Sequence, residues 1–100
     1  MQVSFKTARL QQCYTRVKKA QREWDEKVAR RYIERVNILK KAKSAEDLYG
    51  IPPLNFHPLK GNKKGMYSIT LIDRWCMEVS FNDEALTIVR VEEVSQHYGD

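Results

Sequence analysis

All the residues that most disturb regular backbone lie in the second half of this 100-residue chain. From Met1 to Tyr49 there is no glycine and no proline; Gly50 and the residues after it hold all four glycines and all three prolines. Glycine and proline both weaken helix interiors, and both serve turns, so the first half reads as helical and the second as strands joined by tight turns. At this length one hydrophobic core is the expectation, giving a single α+β domain over residues 1–100.

Apolar spacing fills in that outline. Val3 to Phe5 alternates with polar neighbours as a short strand does. Leu10, Cys13, Tyr14, Val17 and Ala20 recur at helical spacing, and Trp24 extends the face. Asp25 is positioned to cap a second helix carrying Val28, Ala29, Tyr32, Ile33, Val36 and Leu39. No cofactor motif overlaps either stripe, so both are read as core. Ser44 to Asp47 suggests one further helical turn, stopped by Gly50 and by Pro52-Pro53.

Three strands follow, Met66–Ile72, Trp75–Phe81 and Ala85–Val94, in an antiparallel meander. Two N-terminal helices then pack on one face of an antiparallel sheet. In the middle strand Trp75, Met77, Val79 and Phe81 share a side, which should be buried with Leu10, Tyr14, Ile33 and Val36. Arg74, Cys76, Glu78 and Ser80 take the other side, leaving an open, polar face.

Charge narrows the function classes. The net charge is +5 and the pI about 9.3, which favours a polyanionic partner. Basic residues between Lys6 and Lys43 are interspersed with acids, as on a solvated helix surface. Lys60, Lys63, Lys64 and Arg74 instead form a local group, with no acid among them before Asp73. No apolar run approaches the ~20 residues that span a bilayer, and the first ten residues lack the apolar stretch of a secretory signal. Cytoplasmic residence without a membrane is therefore expected. Cys13 and Cys76 match no metal-ligand spacing and are expected to be free thiols; no metal and no small-molecule cofactor is called for.

The stretch "FHPLKGNKKGMYSITL", the Trp-containing strand after it and the terminal "RVEEVSQHYGD" resemble the plasmid-maintenance killer toxins, the HigB-type branch of the RelE/ParE toxin–antitoxin superfamily. The likeness covers essentially the whole chain. It implies a RelE-like fold, a cognate helix-turn-helix antitoxin, and ribosome-dependent cleavage of mRNA. That chemistry is attack of a ribose 2′-OH on the adjacent phosphate, which needs a base, an acid and cations.

Carried over by position, the resemblance marks His57, Lys60 and His97 as catalytic; Arg74 joins them as a substitute cation, and Lys63, Lys64 and Tyr98 are read as RNA-binding. His57 precedes the Leu-Lys-Gly that contains Lys60, and His97 matches the terminal histidine of the family. Three positions depart from the family pattern. Cys76 stands where an arginine is usual, and Ser95 and Gln96 where aspartate and tyrosine are common. Arg74, two residues before Cys76, is the substitute cation on the same strand parity. Tyr98 is the corresponding substitute phenol.

Each residue also has a plainer reading. His57 before Pro58 suits an ordinary extended lead-in, and Asn62-Lys63-Lys64-Gly65 suits a soluble turn. Glu78 is read as pairing with a cation across the sheet rather than as a base, and Trp75 as core rather than a base-stacking platform. Two other functions stay open. One is a non-catalytic ParE-like inhibitor of DNA gyrase; the other is an attenuated relative that keeps only antitoxin or RNA binding.

Overall fold

The computed structural model describes residues 1–96. A short strand, β1 (Gln2–Phe5), leads into three helices, α1 (Ala8–Thr15), α2 (Val17–Glu23) and α3 (Glu26–Lys41), and a short α4 (Ala45–Tyr49). The strands β2 (His57–Pro58), β3 (Tyr67–Ile72), β4 (Trp75–Phe81) and β5 (Ile88–Gln96) follow, with 3-10 turns at Pro52–Leu54 and Gly61–Lys63. The sheet order is β1-β5-β4-β3-β2. Neighbours from β2 to β5 are antiparallel, while β1 runs parallel to β5. Parallel pairing needs a long crossover, and the helices lie on the connection that provides it.

The helical half differs from the sequence reading in one respect. The first stripe is broken at Arg16, whose extended backbone (φ −127°, ψ 101°) ends α1 and opens α2. The apolar spacing continues across the break, which is why it reads as one helix. Thr7 caps α1 by accepting from the Leu10 amide at 3.1 Å. Asp25 caps α3 as expected, accepting from the Val28 amide at 2.8 Å.

The helices cover one face of the sheet. Leu10, Cys13, Tyr32, Val36 and Leu39 meet Ile69, Met77, Val79, Val89 and Val91 in the core. Of the residues expected to be buried, Met77, Val79, Leu10 and Val36 are, but Trp75, Phe81, Tyr14 and Ile33 are only half-buried. Trp75 and Phe81 are the two ends of β4, where the core thins out. Tyr14 keeps its hydroxyl at the surface, donating to Asn37. Tyr32 takes the interior position: it is fully buried, its hydroxyl donates to the Leu10 carbonyl at 2.7 Å, and burial pushes its pKa up.

The last strand begins at Ile88, not Ala85. The Asp83 carboxylate accepts from the amides of Thr87 and Ile88, and Leu86 is in a left-handed conformation (φ 56°), so this segment turns rather than extends. The Leu86 carbonyl also accepts the Ala45 amide, tying the turn to α4. Among the described residues no helix is long and apolar enough to cross a membrane, and neither cysteine is in a disulfide.

Candidate nucleic-acid interface on the open sheet face

Strand register sorts the side chains of the uncovered face into rows. His57 pairs with Ser68, Ser68 with Glu78, and Glu78 with Glu93, so one row crosses four strands. A second row holds Thr70, Cys76 and Ser95; a third holds Ser80, Arg90 and Ser4. β5 carries a bulge, because Glu78 pairs with Glu93 while Val79 pairs with Val91, leaving Glu92 as the extra residue. Adjacent strand residues normally point to opposite faces; here the bulge brings both Glu92 and Glu93 to the open face.

Three carboxylates on this face are each matched by a cation. Lys63 reaches back from its turn to place Nζ 2.9 Å from Oε2 of Glu78 and 3.4 Å from Glu93. Glu78 is buried, at 1% exposure. The hydrogen bond to Glu78 is the largest influence on Lys63 and holds its pKa above the usual lysine value. Glu92 accepts from Arg90 Nε and Ser80 Oγ, both at 2.6 Å, with Lys6 Nζ at 4.0 Å. Burial alone opposes the charged form of Glu92, but the bonds from Arg90 and Ser80 outweigh it and its pKa is lowered. The expected cross-sheet pairing of Glu78 is thus present, with Lys63 as its partner.

That pairing changes the place of the lysines. Lys63, expected to contact RNA, has its ammonium committed to two carboxylates. Lys60 and Lys64 are exposed, and among the described residues neither has a carboxylate within ion-pair distance. They flank the 3-10 turn at the same end of the sheet as His57.

His57 is exposed, and its Nδ1 lies 2.7 Å from the Asn55 carbonyl. A carbonyl only accepts, so Nδ1 carries the hydrogen, and in the neutral ring Nε2 keeps its lone pair. Asn55 itself has φ 45°, a left-handed conformation that asparagine tolerates and that ends the preceding 3-10 turn. A proton acceptor therefore stands at the edge of the open face, with its orientation fixed by main chain.

Arg74 lies elsewhere. It belongs to the two-residue turn between β3 and β4, next to Asp73 (φ 53°), so strand alternation does not set its direction. The row of His57 meets β4 at Glu78, four residues from Arg74, or roughly 13 Å along the strand. His57 and Lys60 share one end of the sheet; Arg74 and Cys76, whose Sγ is 3.9 Å from the Arg74 carbonyl, share the other. Gln96 pairs with Trp75 at this second end. His97 and Tyr98 lie outside the described residues.

Lys6, Ser80, Arg90 and Glu92 were not singled out from the sequence. The i, i+2 spacing of Arg90 and Glu92 is a signal that the two share a strand face, but the register that adds Ser80 and Lys6 is tertiary.

Helices on one side of a mostly antiparallel five-stranded sheet, with the other side open, define the fold of the RelE-like toxins. Solved structures share it at low identity: a mutant of YafQ from E. coli (17% identity, 97% of each chain covered, TM-score 0.62), YoeB in the YoeB–YefM complex from Staphylococcus aureus (14%, 98% of each, 0.62) and a YoeB/ParE toxin from Agrobacterium tumefaciens (17%, 98% of this chain and 100% of that one, 0.58). No curated protein sequence matches the chain. The family model for HigB-like toxins, RelE-like toxins of type II toxin–antitoxin systems, matches residues 3–93, and the chain belongs to that family.

Proposed function

We propose that this toxin is a ribosome-dependent mRNA endoribonuclease, inhibited by a cognate helix-turn-helix antitoxin. The observation that carries the reading is His57: its Nδ1 is engaged by the Asn55 carbonyl and its Nε2 is left as acceptor, at the same end of the sheet as Lys60 and Lys64, which among the described residues have no carboxylate within ion-pair distance. In this scheme Nε2 takes the proton from a ribose 2′-OH as that oxygen attacks the neighbouring phosphorus. The P–O5′ bond breaks, the 5′-oxygen gains a proton from an acid, and a 2′,3′-cyclic phosphate remains on the upstream fragment. Lys60 opposes the charge that builds on the phosphate. Arg74 and His97 are the remaining candidates for cation and acid. The ribosome would supply the in-line arrangement of the mRNA, so a small protein need not enclose its substrate. Membership of a type II toxin family supports an antitoxin partner, and YoeB is seen in complex with YefM.

One observation favours a second reading. Arg74 lies at the other end of the sheet from His57, and Lys63, Arg90 and Lys6 each face a carboxylate, which suits a toxin that acts by binding alone. Mapping mRNA ends in a translation extract, with and without the purified chain, decides between the two. New 5′-hydroxyl ends at ribosome-occupied codons that vanish with His57→Gln support the nuclease. Intact mRNA, together with inhibited supercoiling by DNA gyrase, replaces it with the binding-only toxin.

A further inference from the structure

At the His57 end, the sheet opens into a recess bounded by the β2–β3 ladder on one side and the glycine-flanked lysine turn on the other. Pro58, Leu59, Met66 and Tyr67 form its walls, and Lys60 and Lys64 stand at its rim; its volume is about 290 Å³. The ladder continues one step past β2, with the Leu59 amide bonded to the Met66 carbonyl at 2.8 Å, so two of the walls are tied together by main chain. Tyr67 is held from the other side. Its ring stacks on Phe56 at 5.0 Å and 6°, and meets Phe81 edge-on at 5.3 Å. Gly61 (φ 69°) and Gly65 (φ 96°) form the turn, so the turn itself places no side chain at these two positions.

Apolar walls, one fixed aromatic and two cations at the rim are the features that single-stranded nucleic acid binding uses, a ring against a flat side chain and a phosphate against lysine. Pockets for drug-sized ligands begin at roughly 300 Å³, so this one is of the size that admits a small flat ligand such as a nucleobase. Among the described residues Lys60 and Lys64 have no carboxylate within ion-pair distance, whereas Lys63, the third lysine of the turn, is bonded to Glu78 and Glu93. We infer that this recess is a one-nucleotide subsite: it takes one base of single-stranded RNA against Met66 and Tyr67, with the phosphate of that nucleotide on Lys60 and Lys64. The inference rests on the RNA reading of the open face and extends it around the sheet edge, because Pro58 and Tyr67 pair on the side of the ladder that carries Val79. Pro58 follows His57 directly but points to the opposite side of the strand, so the subsite lies around the β2 edge from the proton acceptor.

The test is an amide-shift NMR titration of the isolated chain with adenosine 5′-monophosphate, uridine 5′-monophosphate, adenosine and inorganic phosphate. The nucleotides should shift the amides of residues 59–67 saturably, at least about tenfold more tightly than inorganic phosphate. Adenosine should shift the same amides more weakly. Lys60→Gln with Lys64→Gln should lower nucleotide affinity to that of adenosine. Leu59→Trp, which fills the recess without changing charge, should abolish both, and the same spectra report whether that variant is folded. Inorganic phosphate binding as tightly as the nucleotides, or shifts confined to other residues, overturns the subsite. Cleavage of mRNA on the ribosome by a chain that ignores nucleotides here also overturns the subsite and spares the nuclease. Binding here by a chain that cleaves nothing supports the subsite and removes the nuclease.

Discussion

Lys63 Nζ lies 2.9 and 3.1 Å from the two carboxylate oxygens of Glu78, so the lysine turn is fastened down onto the open face of the sheet. The lysine side chain is 44% exposed and the glutamate 1%. The pair therefore has one wet end and one dry end, and the dry end sets the cost of breaking it. Lys63→Met should destabilise the chain by about 1–3 kcal/mol, because Glu78 loses two charged hydrogen bonds in a buried place while solvent still reaches the lysine side. Lys64→Met should stay within about 0.5 kcal/mol. Urea unfolding of the two variants beside the parent measures the difference; equal midpoints would remove the fastening.

Lys63→Glu with Lys64→Glu, the charge reversal that the sequence suggests, is a poor probe of RNA contact, since it sets a new carboxylate against Glu78 and Glu93. Lys60→Ala with Lys64→Ala separates binding from folding. Ribosome or RNA association should weaken, and the slope of log K against log salt should fall by about 0.7 per lysine. The melting temperature should not move. An unchanged salt slope assigns both lysines to ordinary solvated surface.

Glu92 and Asp83 should link stability to pH at the acid end. Both have pKa values below the ordinary carboxylate range: Glu92 because the Arg90 and Ser80 bonds outweigh burial, Asp83 chiefly through the hydrogen bond from Thr87. A group lowered in the fold contributes stability above its unfolded pKa and loses it as pH falls through the folded one. The loss should begin below the unfolded values of 4.5 for Glu92 and 3.8 for Asp83. Melting temperature followed from pH 7 to pH 3 should drop less steeply in Glu92→Gln than in the parent. Parallel curves would show that Glu92 is not linked to stability.

Val79 is fully buried between Tyr67 on β3 and Val91 on β5. Val79→Asp should cost about 4 kcal/mol or more, enough to unfold a small domain. Circular dichroism melting settles it, and a parent-like transition would mean the strand faces are assigned wrongly.

Arg74→Ala tests whether the two ends of the sheet cooperate. If the cation at the β3–β4 turn reaches the scissile phosphate, cleavage should fall by about 10²-fold with stability unchanged, and Cys76→Arg should restore part of it. Full activity in Arg74→Ala would confine the chemistry to the His57 end.

Much of this architecture is legible in the residue order. Helical spacing from Leu10 to Leu39, the cap at Asp25 and the alternation from Trp75 to Phe81 are local, and each has one stable way to bury its apolar side. The break at Arg16 is not legible, because the apolar stripe runs through it without interruption. Nor is the late start of β5, where the Asp83 carboxylate ties up the amides that a strand would otherwise use.

The candidate site divides along the same line. The sequence by itself determined that His57, Lys60, Lys63, Lys64 and Arg74 exist in a turn-rich, basic stretch, and that Met77 and Val79 face inward. Only the tertiary structure decided which of these charges remain available. A lysine's reach exceeds the spacing between strands, so its partner is set by what lies across the sheet and not by its neighbours in the chain. The β5 bulge turns two successive glutamates to one face, Lys63 folds back onto Glu78, and Lys60 and Lys64 are left beside a histidine whose tautomer is fixed by the Asn55 carbonyl. Pairing across strands joins residues far apart in sequence, and one inserted residue in a ladder changes which face a charge occupies, so the electrostatics of the open face follow from register and not from composition.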